Sequence, residues 1–267
     1  MSIRRSIRYP IIVLCALFLA SCTKKEGCTD ELATNFDPEA EKDCCCEYAS
    51  EVNFDLEMHL HQFVGSDSLV EGNTYLINGV ATKMDIVQFY ISNIRLVDDA
   101  GNETVAAGTY LLAKPETDDY EIGSFPAASF SKIRFDVGID SVTNHADPSL
   151  YTADNPLSFQ SPSMHWSWSM GYIFLMVTGE IDTDDNGTLD DPMQAHLGKD
   201  EYLAEVEIDY PFTAPAGSSS TIHLNVDWAL FWSGIDIASD HWTHVDDNIT
   251  LANALKDNIP GMFSKEE

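Results

Sequence analysis

The stretch Val52-Asn53-Phe54-Asp55-Leu56-Glu57-Met58-His59-Leu60-His61 decides how the rest of the chain is read. Val52, Phe54, Leu56, Met58 and Leu60 are apolar, and each is followed by a polar residue. A period of two belongs to an extended strand with one buried and one polar face. Similar runs follow at Met84–Val97, Tyr110–Leu112, Ile133–Ile139, Trp166–Thr178, Tyr202–Ile208 and Thr221–Trp228, where the sequence predicts further strands. Turn signals separate them: Glu71-Gly72-Asn73, Asp98 to Asn102, Asp147-Pro148 and Ala214 to Ser218. The expectation is an all-β fold, an antiparallel β-sandwich of about 8–10 strands. One helix is expected, from Asp247 to Asn258, with Leu251 and Leu255 on one face and Pro260-Gly261 as its stop. No whole-domain repeat is visible.

Upstream of this pattern the chain changes character. Arg4, Arg5 and Arg8 precede an apolar run, Ile11 to Leu19, that is too short to span a bilayer. It closes on Leu19-Ala20-Ser21-Cys22, which resembles the lipobox of bacterial lipoproteins. That resemblance implies a signal peptide over residues 1–21, cleavage before Cys22 and a lipid on its thiol. An exported protein is expected, anchored to the membrane by its N-terminal lipid, with the outer membrane as the expected site.

The chain carries 14 Lys+Arg against 44 Asp+Glu, a formal net charge of −30. Such a charge repels phosphate backbones and anionic lipid and favours cations, so a nucleic-acid partner is excluded. Beyond Cys15 and Cys22, four cysteines remain: Cys28, Cys44, Cys45 and Cys46. An even number of thiols outside the cytoplasm reads first as disulfides. The segment Gly27-Cys28-Thr29-Asp30 … Cys46-Glu47-Tyr48 resembles a short acidic cysteine motif of secreted bacterial proteins. The resemblance implies a Cys28–Cys46 bridge. It leaves three uses open for Cys44 and Cys45: pairing with each other, linking chains, or soft thiolate ligation of Cu(I). Residues 22–50 thus read as a tether with a stapled loop, and residues 51–267 as the working domain.

Chemistry on that domain points to metal. On a strand, His59 and His61 project from the same face about 7 Å apart, and neutral imidazoles so placed can meet on one ion. The alternative is two solvated histidines on a polar face. His223 alternates with Ile222, Leu224 and Val226, which places it on a solvated strand face. His241 and His244 form a second pair before the helix. In Asp182-Thr183-Asp184-Asp185-Asn186-Gly187-Thr188-Leu189-Asp190 the oxygens of Asp182, Asp184, Asn186 and Asp190 have the spacing of a Ca²⁺ loop, with Gly187 for the turn. Met193 stands where the last acidic ligand belongs, so a solvated acidic turn is the competing reading. No Gly-x-Ser-x-Gly elbow, phosphate-binding loop or His-Glu-x-x-His helix occurs, and no catalytic role is expected.

Several blocks recur in a recognisable order: Val87–Gly101 "VQFYISNIRLVDDAG", Ile133–Asp140 "IRFDVGID", Met164–Glu180 "MHWSWSMGYIFLMVTGE", His196–Gly198 "HLG" and Asp257–Phe263 "DNIPGMF". Over roughly residues 50–264 the chain resembles the MbnP-like family of bacterial exported proteins. The resemblance implies a β-sandwich and copper binding. In characterised relatives histidines hold the copper together with a tryptophan oxidised to kynurenine by a dihaem enzyme. It implies His61 as ligand, with His59 standing where that tryptophan stands. His196 is then the third ligand, with His241 and His244 as substitutes. A dihaem peroxidase-like enzyme or an outer-membrane transporter is the implied partner. Trp166 and Trp168, two apart, are expected to share a face and to build an aromatic ladder with Tyr172 and Phe174. The functional expectation is a copper-binding envelope lipoprotein serving acquisition, storage or delivery. The competing expectation is a non-enzymatic interaction module of the same fold that has lost the metal.

Overall fold

The structure, a computed structural model, describes residues 24–30, 33, 35–46, 53–167 and 169–266. Cys22, the signal segment and Trp168 lie outside the described residues. The described residues fall into two compact units, one within Met1–Ser50 and one within Glu51–Glu267. In the first, Glu26–Gly27 pairs in parallel with Lys42–Asp43, Cys28 is bridged to Cys46, and Cys44 to Cys45. Thr29 donates from both its backbone N–H and its hydroxyl to Asp43 Oδ1, closing the loop.

The second unit is a sandwich. The strands that organise it are β1 (Asn53–Val64), β2 (Val80–Val97), β3 (Asp119–Pro126), β4 (Ala128–Val137), β5 (Gly171–Ile181), β6 (Asp191–Gly198), β7 (Ala204–Ala214), β8 (Ser219–Asp227) and β9 (Phe263–Lys265). The larger sheet runs β7-β4-β2-β5-β6 and ends on the short strand Trp242–Thr243. The smaller sheet runs β9-β8-β1, with β3 on the far edge of β1. Helix α1 (Ile249–Asn258) starts on an Asn248 cap that accepts the Leu251 N–H.

The period-two reading of β1 holds through its length. Phe54, Leu56, Met58 and Leu60 are buried between the sheets, and Asn53, Asp55, Glu57, His59 and His61 face outward. Burying each of those four side chains contributes about 1.5–3 kcal/mol. The sandwich is all-β, but two of its pairings run parallel: β1 with β8, and β6 with Trp242–Thr243. Partners so far apart in sequence reach each other by a crossover and not by a hairpin, so either direction is open to them. Strand β3 and strand β6 lie in stretches where no strand was expected. Both contain residues of low strand propensity, Gly123 and Pro126 in β3 and Pro192 in β6.

The expected single strand Trp166–Thr178 is broken. His165–Ser167 forms a short strand that turns back on β5, with His165 opposite Tyr172. Trp166 and Tyr172 therefore lie on different strands of a hairpin, and the aromatic ladder takes another form. The rings of His165 and Tyr172 meet edge to face at 5.0 Å, and Tyr172 meets Tyr90 at 5.7 Å. Trp166 rests against Gly198, where any Cβ would overlap its ring. Tyr90, Tyr172, Phe174 and Met176 form a second apolar cluster with Leu157 and Met164. It lies on the outer face of the larger sheet, because Phe89, Ile91, Leu175 and Val177 alternate with them into the main core. The hydroxyls of Tyr172 and Tyr90 donate to the carbonyls of Leu157 and Pro156, at 2.6 and 2.9 Å. Burial pushes both phenols far above their ordinary pKa.

Gly171 makes this hairpin possible. Its φ is +75°, and a Cβ there would overlap the side chain of the fully buried Asn144. The Asn144 Oδ1 accepts the Tyr172 N–H at 2.7 Å, while its Nδ2 donates to Asp200 at 2.8 Å. Gly171→Ala is expected to cost about 3 kcal/mol through backbone strain and the displaced asparagine. Urea unfolding checks this, and a loss below about 1 kcal/mol would show that Asn144 yields freely.

Candidate metal centre

The parallel register of β1 and β8 puts His223 directly opposite His59, both on the outer face of the smaller sheet. Their ring centroids are 5.1 Å apart. Strand β9 then runs alongside β8, and the Glu266 N–H donates to the His223 carbonyl at 3.1 Å. This fixes Glu266 beside the two imidazoles. One ligand atom from each of His59, His223 and Glu266 lies within 4.8 Å of the others.

The distances within the group leave a gap. The Glu266 Oε2 is 3.4 Å from His223 Nδ1, and its Oε1 is 3.6 Å from His61 Nδ1. Both are too long for charge-assisted hydrogen bonds, which close to about 2.7–2.9 Å. Donors sharing one ion at about 2.0 Å stand about 3–4 Å apart, so modest side-chain rotation brings the three onto one cation. Asp119 sits 2.6 Å from His59 Nδ1 and leaves Nε2 as the free nitrogen. A carboxylate on the far ring nitrogen is how metal-binding imidazoles are commonly oriented. The donor set, two imidazoles and a carboxylate, suits copper or zinc.

His196 does not join them. Its neighbours Ala195 and Leu197 enter the main core, so His196 faces the outer side of the larger sheet, opposite Met176. His59 faces the outer side of the smaller sheet, and stacked sheets are about 10 Å apart before the side chains are added. A three-histidine centre of His59, His61 and His196 is therefore ruled out by the two layers between them. His196 instead meets His244 edge to face at 4.9 Å, and its Nε2 lies 3.1 Å from Thr178 Oγ1. His244 Nδ1 pairs with Asp247 at 3.0 Å, and the Trp242 ring meets His244 edge to face at 5.1 Å. His241 Nδ1 is held by the Ile237 carbonyl at 3.1 Å.

A family model described as MbnP matches residues 53–250. The chain belongs to the MbnP family. Among solved structures, MbnP from Methylosinus trichosporium is similar at 16% identity and a TM-score of 0.52, over 72% of this chain and 82% of that one. At that identity the likeness speaks for the fold. No curated protein matches the sequence. The span matched to MbnP includes His59, His61 and His223 and ends before Glu266.

Two members of the centre escaped the sequence reading. The alternation of Ile222, Leu224 and Val226 does turn His223 outward, but its place beside His59 depends on a pairing between distant strands. Glu266 follows the last recognisable element, and nothing local marks it. In the acidic loop the carboxylates serve the turn. Asp182 is buried, and its two oxygens accept the N–H groups of Asn186 and Gly187 at 3.1 and 2.8 Å. Asn186 Oδ1 accepts the Thr188 N–H, and Asp184 also faces the Asn186 N–H. These oxygens close the turn between β5 and β6. Asp182, Asp184 and Asp190 do not gather as the His59 group does, among the described residues. Cys28, Asp43 and Cys46 do gather, but both sulfurs are committed to the bridge.

His196 has an electrostatic signature of its own. Burial pulls its pKa from 6.5 down to about 4, helped by His244 and opposed by Asp247. The unfolded chain takes up this proton near 6.5, the folded chain only near 4, so stability falls as pH drops through that window. The full loss is on the order of 3 kcal/mol. His196→Gln, which cannot protonate, is expected to remove at least half of the difference in unfolding free energy between pH 7 and pH 4.5. An unchanged slope would place the titration elsewhere.

Proposed function

We propose that this MbnP-family protein is an exported, lipid-anchored protein of the cell envelope that binds copper through His59, His223 and Glu266. The observation that carries the reading is the convergence of these three donors on one solvent-facing patch. Copper is favoured over other divalent ions because it tops the affinity order for nitrogen and oxygen ligands. The family resemblance points the same way. Nitrogen and oxygen donors without sulfur suit Cu(II), and a net charge of −30 raises the local concentration of cations.

In this reading each residue has a defined task. Asp119 orients His59 and favours the tautomer with Nε2 unprotonated. His223 is held rigidly by its strand register, and Glu266 adds a negative charge that offsets that of the cation. An imidazole at His59 stands where the resemblance places an oxidised tryptophan in the copper-binding relatives, so the site needs no kynurenine. The protein acts as a carrier or reservoir for acquisition, storage or delivery, and no bond-making step is assigned to it. Cys22 holds the lipid, with the outer membrane as the destination and a transporter or dihaem enzyme there as the exchange partner.

Metal analysis of the mature, detergent-solubilised chain after copper exposure tests this. About one copper per chain is expected in the parent and in His196→Gln. In His59→Ala/His223→Ala the affinity should fall at least about 100-fold. Equal copper in the parent and the double variant, with both folded, would reject this site. Absence of copper from a folded parent would leave the interaction module as the reading.

A further inference from the structure

His59 and His61 share a face but not a partner. His59 lies opposite His223, whereas His61 lies opposite Asn225. Glu266 stands between the two positions with its oxygens divided: Oε2 toward His223 and Oε1 toward His61. His61, Asn225 and Glu266 also line one open depression together with Phe63 and Gly65. Gly65 adds no side chain to this lining, and the chain turns there with φ +64°. The His61 ring packs at 5.6 Å from Phe63, which holds it over the depression. The His61 side chain is 46% exposed, against 27% for His59 and 49% for His223.

We propose that His61, Asn225 and the outer oxygen of Glu266 form a second, weaker position for the same divalent cation, through which the His59–His223 centre is loaded and emptied. This rests on the copper reading above and adds a route to it. A carboxylate can hold an ion on each oxygen, so Glu266 can pass the cation between positions without fully releasing it. His61 offers one imidazole and Asn225 an amide oxygen, a weaker donor set than two imidazoles and a carboxylate. The weaker position lines the open depression, which is the order that exchange requires: a cation arrives where it binds loosely and moves to where it binds tightly. His61 is in this account a positioning and transfer residue and not a resident ligand.

Stopped-flow transfer of copper from the loaded, mature chain to a chromophoric chelator tests the route, beside equilibrium affinity measured by competition. In His61→Ala the release and uptake rates are expected to fall about tenfold while affinity stays within about threefold of the parent. Asn225→Ala should slow transfer in the same direction by a smaller factor. Unchanged rates in His61→Ala would overturn the proposal. So would a loss of affinity above tenfold, because His61 would then be a ligand of the tight centre. A parent that binds no copper would sink both readings. A parent that binds copper with rates indifferent to His61 would remove the route alone. Thermal unfolding of each variant confirms that a slow rate belongs to transfer and not to damage.

Discussion

Everything that matters in this molecule hangs on the strict alternation of β1. Its even-numbered side chains from Phe54 to Leu60 must reach the core, and that obligation alone turns His59 and His61 outward. A slip of one residue would bury both histidines and expose four large apolar groups. The core thereby fixes the orientation of the candidate metal ligands. The neighbouring strand β8 obeys the same rule through Ile222, Leu224 and Val226, which delivers His223 to the same surface.

Charge distribution reinforces what the sheets arrange. The few basic side chains are largely engaged away from the histidine patch: Arg95 with Asp136 and Glu205, Arg134 with Glu103 and Glu207, Lys83 with Glu180. The exposed pairs among them add little stability, whereas Arg95 and Asp136 form a largely buried one. Their effect on the field is larger, since each removes a free positive charge that would compete for acidic groups. A cation approaching the outer face of the smaller sheet meets a surface with little positive charge to oppose it. The two histidine groups divide along similar lines. His196 is sealed against the larger sheet and kept neutral by burial, while His59, His61 and His223 remain accessible to solvent.

The fold was largely legible because periodicity is a local property. Strands β1, β2, β8 and the final helix announce themselves through spacing, turns and a cap. What was not legible depends on distance in sequence. Nothing in residues 219–227 says that they will lie parallel to residues 53–64, and so the meeting of His223 with His59 could not be read. The hairpin at Gly171 was hidden for another reason. Trp166 to Thr178 looks continuous, and the break comes at a positive φ at Gly171, packed against the buried Asn144 of an earlier short helix. His196 was misassigned because a histidine on a strand gives no sign of which sheet that strand will join.

The parallel pairing of β1 with β8 has a further consequence, for timing. These strands come from opposite ends of the domain, and closing so long a loop is entropically costly and slow. The centre therefore does not exist in any partly made or partly threaded chain. Its donors come together only when the last strands have docked on the first. A protein that crosses a membrane unfolded would pass through compartments with its own metal pools without a formed site to capture from them. The topology works as an interlock, bringing His59, His223 and Glu266 together only after the chain has folded through its last strand.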